Sequence, residues 1–457
     1  MEVPVKKNKE YLVEIIDQGF EGEGIAKIEG FTIFIEGAIK GEKCRILIVK
    51  VTSSHAFGKL VEILEKSKYR VEPDCATYKR CGGCNLRHID YEETLNIKQN
   101  TVQNLVNKTL NNKIKVEMTV GMGNPYNYRN KAQYPVGFDK SGEPVMGVYA
   151  KRTHEIIPMR NCMIQNPVSE KIANVVLGFF IKNNIPIYNE KKGEGLLRHI
   201  VIKVGIKTHE IMCILVLNKK ELKKEKELIK VLIREFPEIK TIVKNYNMKN
   251  TNVILGNENE VIYGDGYIYD ELGDYTFKIS PLSFYQINPI QTEALYNIAI
   301  EMADLKKTDT LFDLYCGIGT IGIFASPYVN RVYGIEIVKQ AIEDAKENAN
   351  INNIRNIEFF AGDVEKVFEN VLKEHNVKPD VIFVDPPRKG LDKHTIENIL
   401  NIKPEKIVYI SCNPASLVRD LKLLEESYEI KKIQPVDMFP FTSHVECCAV
   451  MELKNSL

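Results

Sequence analysis

At 457 residues the chain exceeds what one ordinary core can bury, so two to four domains are expected. An apolar fraction of 44% with 27% charged residues excludes a disordered chain, and a net charge of +1 leaves any nucleic-acid binding to local basic patches. No stretch approaches ~18 uninterrupted apolar residues, and the opening MEVPVKKNKEYLVEI has no secretory apolar core, so a cytoplasmic protein without membrane association or a stable protein partner is expected.

From Tyr11 to about Leu64 the pattern is short, alternating and strand-like, broken by Gly19, Gly22, Gly24, Gly30, Gly37 and Gly41. This predicts a small OB-like β-barrel, with another small β-domain as the alternative. A loop with three cysteines follows, DCATYKRCGGCNLRHI, and then a polar helix from about Tyr91 to Leu110. Residues 126–217 return to strand-like runs around a helix near Ser169 to Asn183, and LNKKELKKEKELIKVLIREFPEIK predicts an amphipathic helix. This is a central mixed α+β domain. From about Ile290 the runs TLFDLYCGIG, VYGIEIV, VIFVDPP and KIVYISCNP alternate with helical segments. That rhythm predicts a doubly wound, Rossmann-like parallel sheet with ligands beyond the strand carboxyl ends. The expected fold class is therefore multidomain α/β, divided at residues 1–66, 67–285 and 286–457.

In DLYCGIGTIGI an apolar strand turns into a helix through Gly317, Gly319 and Gly322, which allow close approach of a ligand. Glu336 ends the next strand, where a carboxylate can accept hydrogen bonds from both ribose hydroxyls. Asp363 in AGDVEK falls where it could meet an adenine edge. The fourth strand exits at Asp385 into two prolines, which remove two backbone donors. That is poor for cradling pyrophosphate and good for a rigid wall beside a methyl donor, so S-adenosylmethionine is favoured over a dinucleotide.

Cys412 also sits at a strand exit, where a helix N-terminus is expected to favour its thiolate. Carbon 5 of uracil is too weak a nucleophile to attack a sulfonium methyl directly. A thiolate adding to carbon 6 makes carbon 5 nucleophilic, and a general base must then remove the carbon 5 proton. Glu446 in FPFTSHVECCAV is the candidate base, because a carboxylate in so apolar a segment should have a raised pKa.

Cys75, Cys81 and Cys84 have the spacing C-x5-C-x2-C, and Cys162 is the candidate fourth ligand. From spacing alone zinc and an iron–sulfur cluster both fit. Arg129, Lys131, Arg152, His154 and Arg198, interleaved with Tyr126, Tyr128, Tyr134 and Tyr149, are candidate RNA contacts in the central domain.

PLSFYQIN, DLYCGIG, Glu336, VDPPRKG, YISCNP and HVE occur in the order in which they occur in the RNA uracil-5-methyltransferase family, which the chain resembles over almost its whole length. The resemblance implies that Gln286, Tyr315, Gly317, Glu336 and Asp385 contact S-adenosylmethionine, with Asp363 nearby. It implies that Cys412 attacks carbon 6 and that Glu446 removes the carbon 5 proton. GFEGEGIAKIEGFTIFIEGAIKGEK resembles a TRAM domain, an RNA-binding barrel. Members with the four-cysteine set bind a [4Fe-4S] cluster, and those with barrel and cysteines mostly act on 23S ribosomal RNA. The T-loop uridine of tRNA is the second expected substrate, and an RNA-binding assembly factor without turnover is a third reading. Phe441 departs from the pattern, since some relatives carry a polar residue there.

Overall fold

The structure is a computed structural model that describes residues 3–111, 114–151 and 153–454. Arg152 lies outside the described residues.

The N-terminal strands form one curved sheet in which Phe31–Glu36 and His55–Glu65 run parallel and the other pairs antiparallel. Alternation turns Ile33, Ile35, Ile46 and Ile48 inward onto Val13, Ile15 and Ala26, as the period-two pattern requires. The barrel is tied to the following segment by Glu42, which has no exposed surface and accepts from Arg70 Nε at 2.5 Å and Nη2 at 2.8 Å. Helix Tyr91–Thr109 starts at Asp90, whose carboxylate accepts from the amides of Glu92 and Glu93. Its apolar stripe, Val102 and Val106, packs into the core of the C-terminal sheet, against the helix Pro414–Leu424.

The central sheet has seven strands, with Ile211–Leu217, Leu197–Val204 and Lys131–Phe138 in the middle. Helices Pro167–Lys182 and Glu225–Glu235 cover one face. The second helix is shorter than LNKKELKKEKELIKVLIREFPEIK suggests, because it begins only after Lys224 at φ 59°. Four lysines between 219 and 224 oppose the positive end of a helix dipole, whereas Glu225 and Glu227 suit it, and Pro237 disfavours helix at Phe236. The opposite face shares a core with the last domain through Val201, Met212, Ile214 and Val243.

The last sheet runs in the order Ile357–Ala361, Arg331–Glu336, Thr310–Leu314, Val381–Val384, Lys406–Ser411, Glu446–Leu453, Tyr428–Val436. The first five are parallel, and the last two form an antiparallel hairpin on the end. Strand order reverses between Thr310–Leu314 and Val381–Val384, which opens a crevice at their carboxyl ends. No helix among the described residues is long and apolar enough to cross a membrane.

Candidate active site

The chain leaves Thr310–Leu314 through Tyr315 at φ 68° and Gly317 at φ 55°. A left-handed tyrosine costs about 1–3 kcal/mol, a strain that tends to gather at functional sites. A Cβ on Gly317 would meet no protein atom within 4 Å, so that backbone faces open space. Gln286, Tyr315, Gly317 and Asp385 line one cleft of about 400 Å³ together with Phe284, Tyr285 and Tyr296. Glu336 borders it: Oε2 accepts from the Gly317 amide at 3.2 Å and Oε1 from the Val338 amide at 2.9 Å. Each oxygen keeps a lone pair for a donor such as a ribose hydroxyl. Asp363 caps the helix Val364–His375, accepting from the Glu365 amide at 3.2 Å. It lies outside the cleft lining but close enough for its charge to oppose ionisation of Tyr315.

Three further groups lie inside the motifs PLSFYQIN, DLYCGIG and VDPPRKG without being singled out there. Phe284 holds 64% of its surface exposed at the cleft, an aromatic face open to a planar ligand. Asp313 is fully buried: Oδ2 accepts from the Gly322 amide at 2.9 Å, Oδ1 has no partner, and burial raises its carboxyl to about 7. Arg388 is exposed near Cys412 and Glu446 and opposes the pKa rise of both.

Strand register brings Cys412 and Glu446 together. Ser411 pairs with Cys447 at the end of the antiparallel ladder, and Cys412 and Glu446, the residues next beyond that pair, lie close enough for the Glu446 charge to raise the thiol. The reversed direction of the last hairpin makes its strand start where the parallel strands end. Asp385, half-buried on the cleft wall, is pushed up by burial to about 7. Glu446 is 4% exposed, and burial, followed by the charge of Asp385, raises it to about 8. The expectation that Glu446 is buried and its carboxyl raised therefore agrees with the geometry. The expectation of a thiolate-favouring Cys412 does not. Burial first, then Glu446 and Asp385, push the thiol up to about 11, because two nearby carboxylates and desolvation outweigh the adjoining helix start, which Asn413 caps.

The loop that carries Glu446, residues 437–445, is held from several sides. Lys98 forms a fully buried ion pair with Asp437, whose other oxygen accepts from the Tyr91 hydroxyl at 2.8 Å. Tyr128 donates to the Pro440 carbonyl at 3.1 Å, and the amides of Asn85 and Leu86 both donate to that of Phe441. Asn85 also accepts from the Ser443 amide at 2.8 Å and donates to its hydroxyl at 2.9 Å. Phe441 takes φ 65°, and its ring lies 4.1 Å from the Arg87 guanidinium, so the segment between the cysteines and the helix grips the loop before the base.

That segment brings Cys84 and Cys162 against the same small core as Phe441. Burial first, and then the charges of other cysteines of the set, raise the thiols of Cys81, Cys84 (to about 12) and Cys162. The sulfur of Cys81 accepts from the Gly83 amide at 3.3 Å, and that of Cys162 from the amides of Ile164 and Gln165. Among the described residues, no three His, Cys, Asp or Glu side chains are disposed to hold a metal ion.

The central domain corrects part of the RNA-contact set. Tyr128 and Tyr134 are core residues, not stacking surfaces. Arg198 uses its Nη1 on the carbonyls of Asn247 and Lys249, at 2.5 and 2.9 Å, and leaves its Nε without a partner. Lys131 is half-buried, its ammonium disfavoured by burial, and Tyr149 and His154 stack on one another with centroids 5.2 Å apart.

A sheet of this order, with a glycine turn, a carboxylate and an open cleft at its switch point, is the architecture of enzymes that bind a nucleotide-like cofactor, a class that includes the S-adenosylmethionine-dependent methyltransferases. The family model described as tRNA (Uracil-5-)-methyltransferase matches residues 239–454, and the TRAM domain model matches residues 4–61. A Clostridium tetani protein named as an RNA methyltransferase is 46% identical, covering 98% of each chain, and one from Caldanaerobacter subterraneus is 45% identical over 98% and 99%. The crystal structure of Pyrococcus abyssi tRNA (uracil-54, C5)-methyltransferase with S-adenosyl-L-homocysteine superposes with a TM-score of 0.77 at 25% identity, covering 97% of this chain and 100% of that one. The chain belongs to the RNA (uracil-5-)methyltransferase family, with an N-terminal TRAM domain.

Proposed function

We propose that the protein methylates carbon 5 of a uridine in 23S ribosomal RNA, with Cys412 as covalent nucleophile and Glu446 as general base. The observation that carries the chemistry is the neighbouring pair itself, a thiol and a carboxyl raised to about 8, beside the cleft. Gln286, Tyr315, Gly317, Glu336, Asp363 and Asp385 hold S-adenosylmethionine, which supplies the methyl group. Cys412 reacts as the thiolate, its proton passing to solvent; its sulfur bonds to carbon 6 of the uracil, the C5–C6 electron pair passes to carbon 5, and carbon 5 takes the methyl group, leaving S-adenosylhomocysteine. Glu446 then accepts the carbon 5 proton, and the electrons left behind expel the Cys412 thiolate. Phe284 offers a stacking face to the base once it has left the RNA stack.

Domain limits at 1–66, 67–285 and 286–457 divide this work into barrel, RNA recognition and methyl transfer. Cys75, Cys81, Cys84 and Cys162 would be the donor set for a [4Fe-4S] cluster, zinc being the alternative, although their side chains as they stand do not converge on one ion. Four soft sulfurs, two of them receiving backbone amides, suit such a group, which would supply structural order and not a step of the reaction. The joined barrel and cysteine set support the ribosomal substrate. The P. abyssi neighbour, described as a tRNA uracil-54 enzyme, supports the T-loop uridine of tRNA as a second reading.

The test supplies the anaerobically purified protein with S-adenosylmethionine and unmodified 23S rRNA or tRNA, and maps 5-methyluridine by mass spectrometry. Product in rRNA alone is expected; product in tRNA alone replaces the substrate and keeps the chemistry. Absence from both RNAs supports a binding factor without turnover. RNA carrying 5-fluorouridine, which has no abstractable proton at carbon 5, should remain bonded to Cys412 and not to Cys412→Ala.

A further inference from the structure

The two central strands Lys131–Phe138 and Leu197–Val204 pair antiparallel, with Lys131 opposite Lys203, Gln133 opposite Val201 and Pro135 opposite His199. Ala132, Tyr134, Val136, Ile200 and Ile202 point into the core beneath the helices, so Lys131, Gln133, Lys203 and His199 share the other face. One end of this row meets the methyl-transfer site: Lys203 donates to the carbonyls of Ser280 and Ser283, on the loop that leads to Gln286. At the other end is a cleft of about 1960 Å³. His199 lies four positions before Lys203, about 13 Å along a strand.

Two polar groups on the cleft wall are buried without partners. His199 is 8% exposed and its Nδ1 has no hydrogen bond; Arg198 is 6% exposed and its Nε has none. Leaving such a group unsatisfied costs about 1–3 kcal/mol, a cost that a ligand would remove. Burial drives the His199 imidazole down to about 4, so it is neutral and offers one donor and one acceptor. That suits a nucleobase edge better than a phosphate. Tyr149, stacked on His154, and Tyr188, which carries the Arg198 guanidinium 4.6 Å from its ring, add aromatic surface to the same wall. Lys191 and Lys192 are exposed on the cleft's border, where a phosphate backbone could run.

We infer that this cleft is a second nucleobase site, which captures an unstacked base of the substrate RNA near the methylated uridine and so helps to choose that uridine. It rests on RNA as the substrate and not on the roles of Cys412 and Glu446. A protein segment in the cleft is the competing occupant.

The test uses the full-length protein with fluorescein-labelled transcripts of 23S rRNA fragments and of tRNA, choosing the one that wild type binds, and scans that RNA with single abasic positions. One abasic position outside the target should weaken wild-type binding about tenfold, the size of a lost base stack. His199→Ala and Tyr149→Ala should each weaken binding of intact RNA by a similar factor and then be indifferent to that abasic position. S-adenosylmethionine affinity and turnover at saturating RNA should stay unchanged, which reports intact folding. Variants that bind intact RNA as wild type does, or that suffer the full abasic penalty, overturn the proposal and leave the cleft to a protein partner. If wild type binds neither RNA, it is the RNA-methyltransferase reading that fails.

Discussion

Glu446 should set the pH at which the methylated intermediate is released. Its carboxyl is raised from 4.5 to about 8 by burial and then by Asp385. A general base works only when ionised, and below its pKa the ionised fraction falls about tenfold per pH unit, to roughly a tenth at pH 7 and a hundredth at pH 6. With RNA deuterated at carbon 5 of its uridines, turnover limited by proton removal should therefore climb about tenfold per unit up to pH 8 and then level off. An unshifted carboxylate would give a flat profile over the same range. Glu446→Gln should slow release by about 10²–10⁴-fold while leaving the Cys412 attack in place, so a covalent protein–RNA band should build up on a denaturing gel. A flat wild-type profile from pH 6 to 9, or Glu446→Gln turning over normally without the band, would refute the assignment. The same shift has a sign for stability. The folded chain holds this proton more tightly than the unfolded chain, so Glu446's contribution is fully present below pH 4.5 and is lost as pH rises through 8.

Three other outcomes follow from the contacts around this pair. Lys98→Met leaves Asp437 charged and buried, which should cost about 3–5 kcal/mol and lower the calorimetric unfolding temperature, whereas Lys98→Met with Asp437→Leu should restore much of it. Asn85→Ala removes the side-chain clamp on Ser443 and should let covalent adduct accumulate while S-adenosylmethionine affinity, read by calorimetry, is unchanged. Asp385→Asn removes a charge that raises both Cys412 and Glu446, so iodoacetamide should alkylate Cys412 faster at pH 8.5, quantified by peptide mass spectrometry.

The parallel strands, their loops and the residues at their carboxyl ends were legible because each is a local signal: an apolar run, a glycine turn, an acid or a cysteine just beyond it. Gln286, Tyr315, Gly317 and Asp385 could thus be marked before it was known that they line one cleft. Tyr134 is buried and not a stacking surface: an alternating strand pattern does not say which face is covered, and helices 167–182 and 225–235 decide that, whereas Tyr128 lies before the strand and packs against Phe441. The early onset assumed for the second of these helices ignored the lysines at its start, a signal the sequence did contain.

By itself the sequence determined the class of fold and marked the residues at the strand ends, since period and turn chemistry act over a few residues. Tertiary structure alone decided their chemical state. Cys412 is held protonated, at about 11, by burial and then by carboxylates from two other strands, and Glu446 is raised by burial and then by a neighbour 61 positions away in number, with one strand between them in the sheet. The grip on the loop before Glu446 joins Lys98 to Asp437 across 339 residues and Asn85 to Ser443 across 358. No local pattern encodes such pairs, because desolvation and Coulomb forces depend on which surfaces meet once the sheet is built.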